Sequence, residues 1–486
     1  MTYNIRISFI TMLLVTSLSC SLKDTNLNEC RIVIAGQIYD FDGESGNITF
    51  MFSNIVDPRR IFEQVRCNVD KDGRFKIDTI FGFPQEFLSP YGFLYCSPGD
   101  SIFLEIKNSR IQKISGTGAK INTELSDFNN NFLKRYPDST KHLSPTRYKS
   151  YISHRERVYR DSLAAFINSS APSQKCIEWA NDIIRYESWC NLLRYPWLHC
   201  QYNHLSVDSL NLPDDYYSFL DDYDMNNFTL ISRNHILFLH EFFRYCLKNS
   251  ADSLKKINEL VRKGDTISAI KMNLRMITNK TSGLTEELML TKYFHIFLRA
   301  RDIQDYKLYF DSSSVSNEYF LWELNQELER SRKFLANQQT INANLTKLND
   351  TDNSEVLNSI ISKYQGNIIY MDFWAPWCGP CLSEMPYSKK HQEFFKDEKI
   401  TFLFLGNQCK EDAWKAAIAN YNLTGEHILL NQEQFAQLSK KFDINGIPHY
   451  VIIDRKGRVV SKDANRPSNE IELREQLQKL LIENKP

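Results

Sequence analysis

The sequence predicts a multidomain chain: a small β-sandwich over residues 30–118, an α-helical region over 120–340 and an α/β domain over 345–486. Three observations lead to this reading. Short alternating segments split by turn signals fill the first stretch, helical apolar periodicity runs through the second, and strand and helix patterns alternate in the third. A chain of 486 residues is also too long for one hydrophobic core.

Residues 1–19 form a targeting segment. Arg6 supplies the positive charge, and the apolar run Ile7–Leu18 is too short to span a bilayer comfortably. It ends in Ser17-Leu18-Ser19-Cys20. A small residue directly before Cys after such a run resembles a bacterial lipoprotein signal, with Cys20 as the lipidated first residue of the mature protein. Ser17 departs from that pattern, which usually has Leu there. The expected location is therefore the bacterial envelope, with the chain tethered to a membrane by lipid. Lys plus Arg and Asp plus Glu are equal at 59 each, so no global field attracts nucleic acid.

In the first domain the expected strands are Arg31–Ile38, Gly46–Phe52, Val65–Val69, Arg74–Ile77, Tyr91–Tyr95 and Ser101–Ile106. Asp42-Gly43, Asp72-Gly73 and Pro98-Gly99-Asp100 punctuate them. In the helical region Leu125, Phe128, Phe132, Leu133 and Tyr136 share one helix face, as do Ile236, Leu239, Phe243 and Leu247, and Phe320, Leu324 and Leu328. Cys190, His199, Cys200 and His204 lie near one another in sequence, but their spacing fits no usual zinc pairing, and core-like residues surround them. No metal site and no cofactor is expected. Residues 341–356, rich in Asn, Thr and Asp, read as a linker.

The last domain reads strand Ile368–Trp374, helix Cys381–Phe395, strand Ile400–Leu405, helix Glu411–Tyr421, strand Ile428–Leu430, helix Gln432–Phe442, strands Tyr450–Asp454 and Arg458–Ser461, and helix Glu470–Ile482. Its centre is Trp374-Ala375-Pro376-Trp377-Cys378-Gly379-Pro380-Cys381. A strand that runs out at Trp374 and a helix that opens at Cys378 place the first sulfur where unpaired N–H groups and the helix dipole stabilise a thiolate. Two intervening residues bring Cys381 beside Cys378, and Pro380 costs nothing in a first helical turn. A zinc half-site would need a second CxxC or paired His, and none follows in this domain. Eight further cysteines (Cys30, Cys67, Cys96, Cys176, Cys190, Cys200, Cys246 and Cys409) are expected to be mostly structural.

The element order and this motif resemble the thioredoxin fold, and specifically its TlpA-like branch of membrane-anchored thiol–disulfide reductases. The resemblance implies that Cys378 attacks and Cys381 resolves. Glu384 matches the acid that branch keeps beside its dithiol, Pro386 its helix-kinking proline, and Asp372 the buried acid of thioredoxins. Gly446-Ile447-Pro448 matches the loop whose proline is cis and faces the disulfide, so Ile447, Pro448 and Trp377 are the expected substrate contacts, with Trp374 and Trp377 as an apolar rim. Glu384 and Asp372 are both candidates to accept the Cys381 proton. Protein disulfides are the implied substrates, and a membrane electron donor of the DsbD type is the implied partner. Ile34-Ala35-Gly36, Asp72-Gly73-Arg74-Phe75, Ser97-Pro98-Gly99-Asp100-Ser101 and Ser115-Gly116-Thr117-Gly118 resemble a β-domain often joined to thioredoxin-like lipoproteins of Bacteroidetes. Two other readings stay open at this point. One is a thiol peroxidase, although Ala375 stands where that family has a hydroxyl. The other is a binding or assembly lipoprotein whose redox domain serves one dedicated partner.

Overall fold

The structure is a computed structural model. It describes residues 31–483 except 44–45, 58–61, 133–141, 206–209, 227–231, 249–250, 263–264, 311–313, 337–340, 342 and 349–355. The targeting segment, Cys20 and Cys30 lie outside the described residues. The described residues fall into two compact units, those up to 254 together with 273–289, and 255–272 together with those from 290 on. The three segments read from the sequence remain visible as element types, but packing joins sheet and helix within each unit.

The first unit begins with eight strands: β1 (Arg31–Ile38), β2 (Gly46–Ser53), β3 (Phe62–Val69), β4 (Arg74–Ile80), β5 (Gln85–Ser89), β6 (Gly92–Cys96), β7 (Ser101–Lys107) and β8 (Arg110–Gly116). They make two four-stranded sheets, ordered β4-β1-β7-β8 and β3-β2-β5-β6. Alternation works as expected in β1, where Ile32, Ile34 and Ile38 face inward. These residues join Phe50, Phe75, Phe87 and Leu104 in one core that both sheets share.

Helices follow: α1 (Ala119–Asp127), α2 (Pro145–Ser170), α3 (Gln174–Tyr202), α4 (Arg233–Lys248), α5 (Ala251–Arg262), α6 (Thr266–Thr278), α7 (Gly283–Arg299), α8 (Ile303–Tyr309) and α9 (Glu318–Ala336). The face expected over Leu125–Tyr136 is helical to Asp127 and continues as a wider turn to Phe132, while residues 133–136 lie outside the described residues. Ser173 caps α3 by accepting from the Cys176 N–H. Trp179 and Ile184 on α3 pack with Leu163 and Phe166 on α2.

The second unit carries a six-stranded sheet, ordered β14-β13-β10-β11-β12-β9. Its strands are β9 (Ala343–Lys347), β10 (Ile368–Trp374), β11 (Ile400–Gly406), β12 (Gly425–Leu429), β13 (His449–Ile453) and β14 (Val459–Ser461). Its helices are α10 (Val356–Lys363), α11 (Gly379–Phe394), α12 (Glu411–Asn420), α13 (Gln432–Phe442) and α14 (Glu470–Glu483). The linker reading of 341–356 is corrected here: Ala343–Lys347 pairs in parallel with Gly425–Leu429 as the sheet edge. The polar composition of that strand suits an edge position and hides it from a hydrophobic pattern.

β10 is the central strand, parallel to β11 and antiparallel to β13. All seven of its residues are buried. Ile369, Met371 and Phe373 enter one core with α10 and α13 residues. Ile368, Tyr370 and Trp374 enter the other, with Cys378, Cys381, Met385 and the α14 leucines Leu473 and Leu477. Strand alternation puts Asp372 on that second face, the side of the dithiol.

Candidate active site

Cys378 is the N-cap of α11, and its sulfur accepts a hydrogen bond from the Cys381 N–H at 3.2 Å. The Cys378 N–H donates to the Ala375 carbonyl at 3.0 Å, closing the turn between strand and helix. A sulfur in this place faces the unpaired donors of a 16-residue helix, which favours its thiolate. Cys378 and Cys381 are joined as a disulfide. Cys378 is 4% exposed and Cys381 wholly buried, so the first sulfur is the one nearer to solvent. Pro380 falls in the first turn of α11 and Pro386 lies inside it.

Trp377 is half-buried, and its indole Nε1–H donates to the Gln408 carbonyl at 2.8 Å. Trp374 does not join it at the surface. Trp374 is fully buried beneath the dithiol, so the expectation that both tryptophans form a rim is corrected. It ends the central strand, and alternation turns it into the core. Ile447 and Pro448 are half-buried in the loop before β13, joined by a cis peptide bond, and Ile447 packs against the core that contains both cysteines.

The two acids have different surroundings. Asp372 is 1% exposed, and neither carboxylate oxygen has a hydrogen-bond partner among the described residues. Burial, and secondarily the nearby Glu384, hold its pKa well above the usual carboxylate range. Its cross-strand neighbour is Tyr450, whose hydroxyl is also buried without a partner among the described residues. Tyr450 stacks on Tyr370 with centroids 5.6 Å apart. Glu384, in contrast, is fully engaged. Its Oε2 accepts from the Ser468 N–H at 2.8 Å and its Oε1 from the Ser468 hydroxyl at 2.9 Å. The loop carrying Ser468 is itself fastened, since the Tyr370 hydroxyl donates to the Asn465 carbonyl and His391 bonds the Pro467 carbonyl.

Sequence reasoning missed Ser468. It lies 84 residues from Glu384, and no local pattern connects them. It also missed Asn407, which ties the end of β11 to the end of β10. The Asn407 N–H and its Nδ2 both donate to the Trp374 carbonyl, at 3.1 and 3.0 Å. His427 is a third omission. It is buried, stacked on Phe404 at 4.7 Å and edge-on to Trp374 at 6.2 Å, and burial lowers its pKa to about 4. The apolar Ile428 and Leu429 that follow it were the available signal.

Seven of the eight other cysteines fall among the described residues. None of the seven is in a disulfide, and all but Cys409 are buried. Among the described residues no cluster of His, Cys, Asp and Glu is placed to hold a metal ion. His199 bonds Tyr195 at 3.1 Å instead, while Cys190 and Cys200 are core side chains. No helix among the described residues is long and apolar enough to cross a membrane.

Residues 340–479 match the Redoxin family model. Over 120 residues the chain is 23% identical to the thiol–disulfide oxidoreductase ResA of Bacillus thuringiensis subsp. konkukian, covering 25% of this chain and 67% of that protein. The C-terminal domain is a thiol–disulfide oxidoreductase domain of the TlpA-like thioredoxin family. ResA of one Bacillus cereus strain is 26% identical over 116 residues, covering 24% of this chain and 65% of that protein. The chain thus spans about two thirds of the length of these two curated relatives. Among solved structures, the thioredoxin domain of a thiol–disulfide oxidoreductase from Bacteroides vulgatus is 26% identical, covering 25% of this chain and 84% of that one, with a TM-score of 0.23. A thiol:disulfide interchange protein from a Bacteroides species is 26% identical, covering 26% and 80%, with a TM-score of 0.23.

Proposed function

We propose that this protein reduces or isomerises disulfides of protein substrates in the bacterial envelope through Cys378 and Cys381. One observation carries the reading: the dithiol caps a helix on the same side of the sheet as a buried carboxylate that has no hydrogen-bond partner among the described residues. In the first step the Cys378 thiolate attacks one sulfur of a substrate disulfide. A mixed disulfide forms, and the other substrate sulfur leaves as a thiolate. In the second step Cys381 gives its proton to Asp372 and attacks the Cys378 sulfur. The internal disulfide forms, and the second substrate thiolate is released. Two electrons pass to the substrate, so an outside donor must reduce the pair again. A membrane electron donor of the DsbD type would serve.

Asp372 is assigned as the proton acceptor because a base with a raised pKa works closer to neutral pH. Glu384, held at both oxygens by Ser468, supports it by opposing its ionisation. Trp377, Ile447 and Pro448 are assigned to substrate contact. The finer organisation belongs to the same reading: a signal peptide at 1–19, lipidation at Cys20, a β-sandwich at 30–118, a helical region at 120–340 and the redox domain at 345–486.

Trapping thiols in intact cells with an alkylating mass tag, scored against a Cys378→Ser/Cys381→Ser variant, tests the direction of electron flow. The expected result is a largely reduced pair. A largely oxidised pair would remove the reductase and isomerase assignment. Labelling with an alkyne fatty acid should mark the wild type and leave Cys20→Ala unmarked.

A further inference from the structure

The loop that follows β11 touches the active site on one side and the helical segment of its own unit on the other. Asn407 ties it to the end of the central strand through the Trp374 carbonyl. Gln408 adopts a left-handed conformation, φ 51°, and its carbonyl receives the Trp377 indole. Two residues on, Lys410 stands at the N-cap of α12 without capping it through its side chain. Its ammonium reaches Asp302 Oδ1 at 2.7 Å and Asp305 Oδ1 at 3.5 Å. Asp302 is the N-cap of α8 and accepts from the Asp305 N–H at 3.0 Å. Its side chain is 14% exposed while that of Lys410 is 42% exposed, so the pair is shielded from solvent on the carboxylate side only.

The far end of α12 is held as well. The Asn420 side chain donates to the Phe334 carbonyl on α9 at 3.0 Å, and Phe334 lies against Tyr421. The Arg301 guanidinium covers the Phe334 ring at 4.7 Å and bonds the buried Glu327 at 2.9 Å. The helical segment therefore grips α12 at both ends, and the grip at its N-terminal end lies two residues from the acceptor that orients Trp377.

We propose that Lys410 and Asp302 form a positioning contact through which helices α8 and α9 set the pose of Trp377, and with it the affinity of the dithiol for protein disulfides. This rests on the functional reading above, in which Trp377 touches substrate. The contact acts on the loop backbone: fixing Lys410 fixes the Gln408 carbonyl, which fixes the indole. A small disulfide that needs no tryptophan rim is indifferent to it. The helical segment of this unit is then part of the substrate-recognition apparatus.

The test uses the full-length reduced protein with two substrates, a disulfide-bonded protein and the small aromatic disulfide dithiobis(nitrobenzoate). The variants are Lys410→Gln, Lys410→Arg and Asp302→Asn, the last of which keeps an oxygen to cap α8. Lys410→Gln and Asp302→Asn should each raise KM for the protein disulfide about two- to fivefold, the range an ion pair of this kind supports. Rates with the small disulfide should stay at the wild-type level, and Lys410→Arg should keep the wild-type KM. The double variant should be no worse than either single one. The Trp377 indole N–H, assigned by its loss in Trp377→Phe, should exchange faster in the first two variants. Unchanged KM and unchanged indole exchange overturn the contact. So does an equal loss on both substrates with a lowered unfolding midpoint, which marks a merely structural pair. If the wild type reduces the small disulfide but no protein disulfide, the functional reading fails, and indole exchange alone decides whether Lys410 positions Trp377.

Discussion

Replacing Asp372 by Asn separates the chemistry from the fold, because neither oxygen of Asp372 has a partner to lose among the described residues. The change keeps shape and polarity and removes only the ability to take a proton. Proton transfer by a placed side chain is worth about 10²–10⁴ in rate. Attack of Cys381 on the mixed disulfide should therefore slow by about 10²-fold, while the first attack by Cys378 changes little. The assay starts from Cys378 carrying a thionitrobenzoate group and follows release of the coloured thiolate in a stopped-flow instrument between pH 5 and 8. The stability change has a definite sign. The folded pKa of Asp372 lies above its unfolded value, so its contribution is fully present below the unfolded pKa and is lost as pH rises toward the folded one. The wild type should lose at most about 1.4 kcal/mol per pH unit across that window, and Asp372→Asn should lack this slope. A variant whose release rate stays within about twofold of wild type, while Glu384→Gln is slowed about 10²-fold, would refute the assignment and move the proton to Glu384.

Two other changes probe the frame around the site. His427 is neutral in the fold because burial lowers its pKa to about 4. Its contribution is present above the ordinary histidine pKa and falls as pH drops from about 6.5 toward 4, by at most about 1.4 kcal/mol per unit. Urea midpoints should show a flatter acid limb in His427→Gln, and an identical limb would exclude His427 as the source. Gly406 faces Trp414, and a Cβ there would sit 2.6 Å from the indole Nε1 of a buried side chain. Gly406→Ala should destabilise by about 1–3 kcal/mol through overpacking. An unchanged unfolding midpoint would show that Trp414 can move aside.

The dithiol was legible because its chemistry is local: a strand end, a turn and a helix start fall within eight residues. Asp372 was legible only through the resemblance to thioredoxins, which keep an acid six residues before the first cysteine; the structure adds that alternation along the buried strand turns it to the dithiol side. Ser468 was not. Its two bonds to Glu384 depend on how the segment before α14 passes the first half of α11, which is a tertiary event. The β9 edge strand was hidden by its polar composition, and β5 and β8 were missed for different reasons. Gln85–Ser89 is short and Arg110–Gly116 lies half-open to solvent, so neither alternates cleanly. The grip on α12 was invisible for a further reason. Lys410, Asp302 and Phe334 look like ordinary surface and helix residues, and only packing shows that they meet.

If Cys378 and Cys381 carry two electrons to a protein disulfide, the transfer can be counted. Stoichiometric reduced full-length protein is mixed with a disulfide-bonded protein substrate, and thiols on both are counted by mass after alkylation. One substrate disulfide should be lost for each Cys378–Cys381 disulfide formed. No loss should occur with Cys378→Ser, and Cys381→Ser should trap a Cys378–substrate mixed disulfide. Substrate reduction that persists in the Cys378→Ser/Cys381→Ser variant, or a wild-type pair that oxidises without any substrate thiol appearing, would contradict the proposed electron transfer.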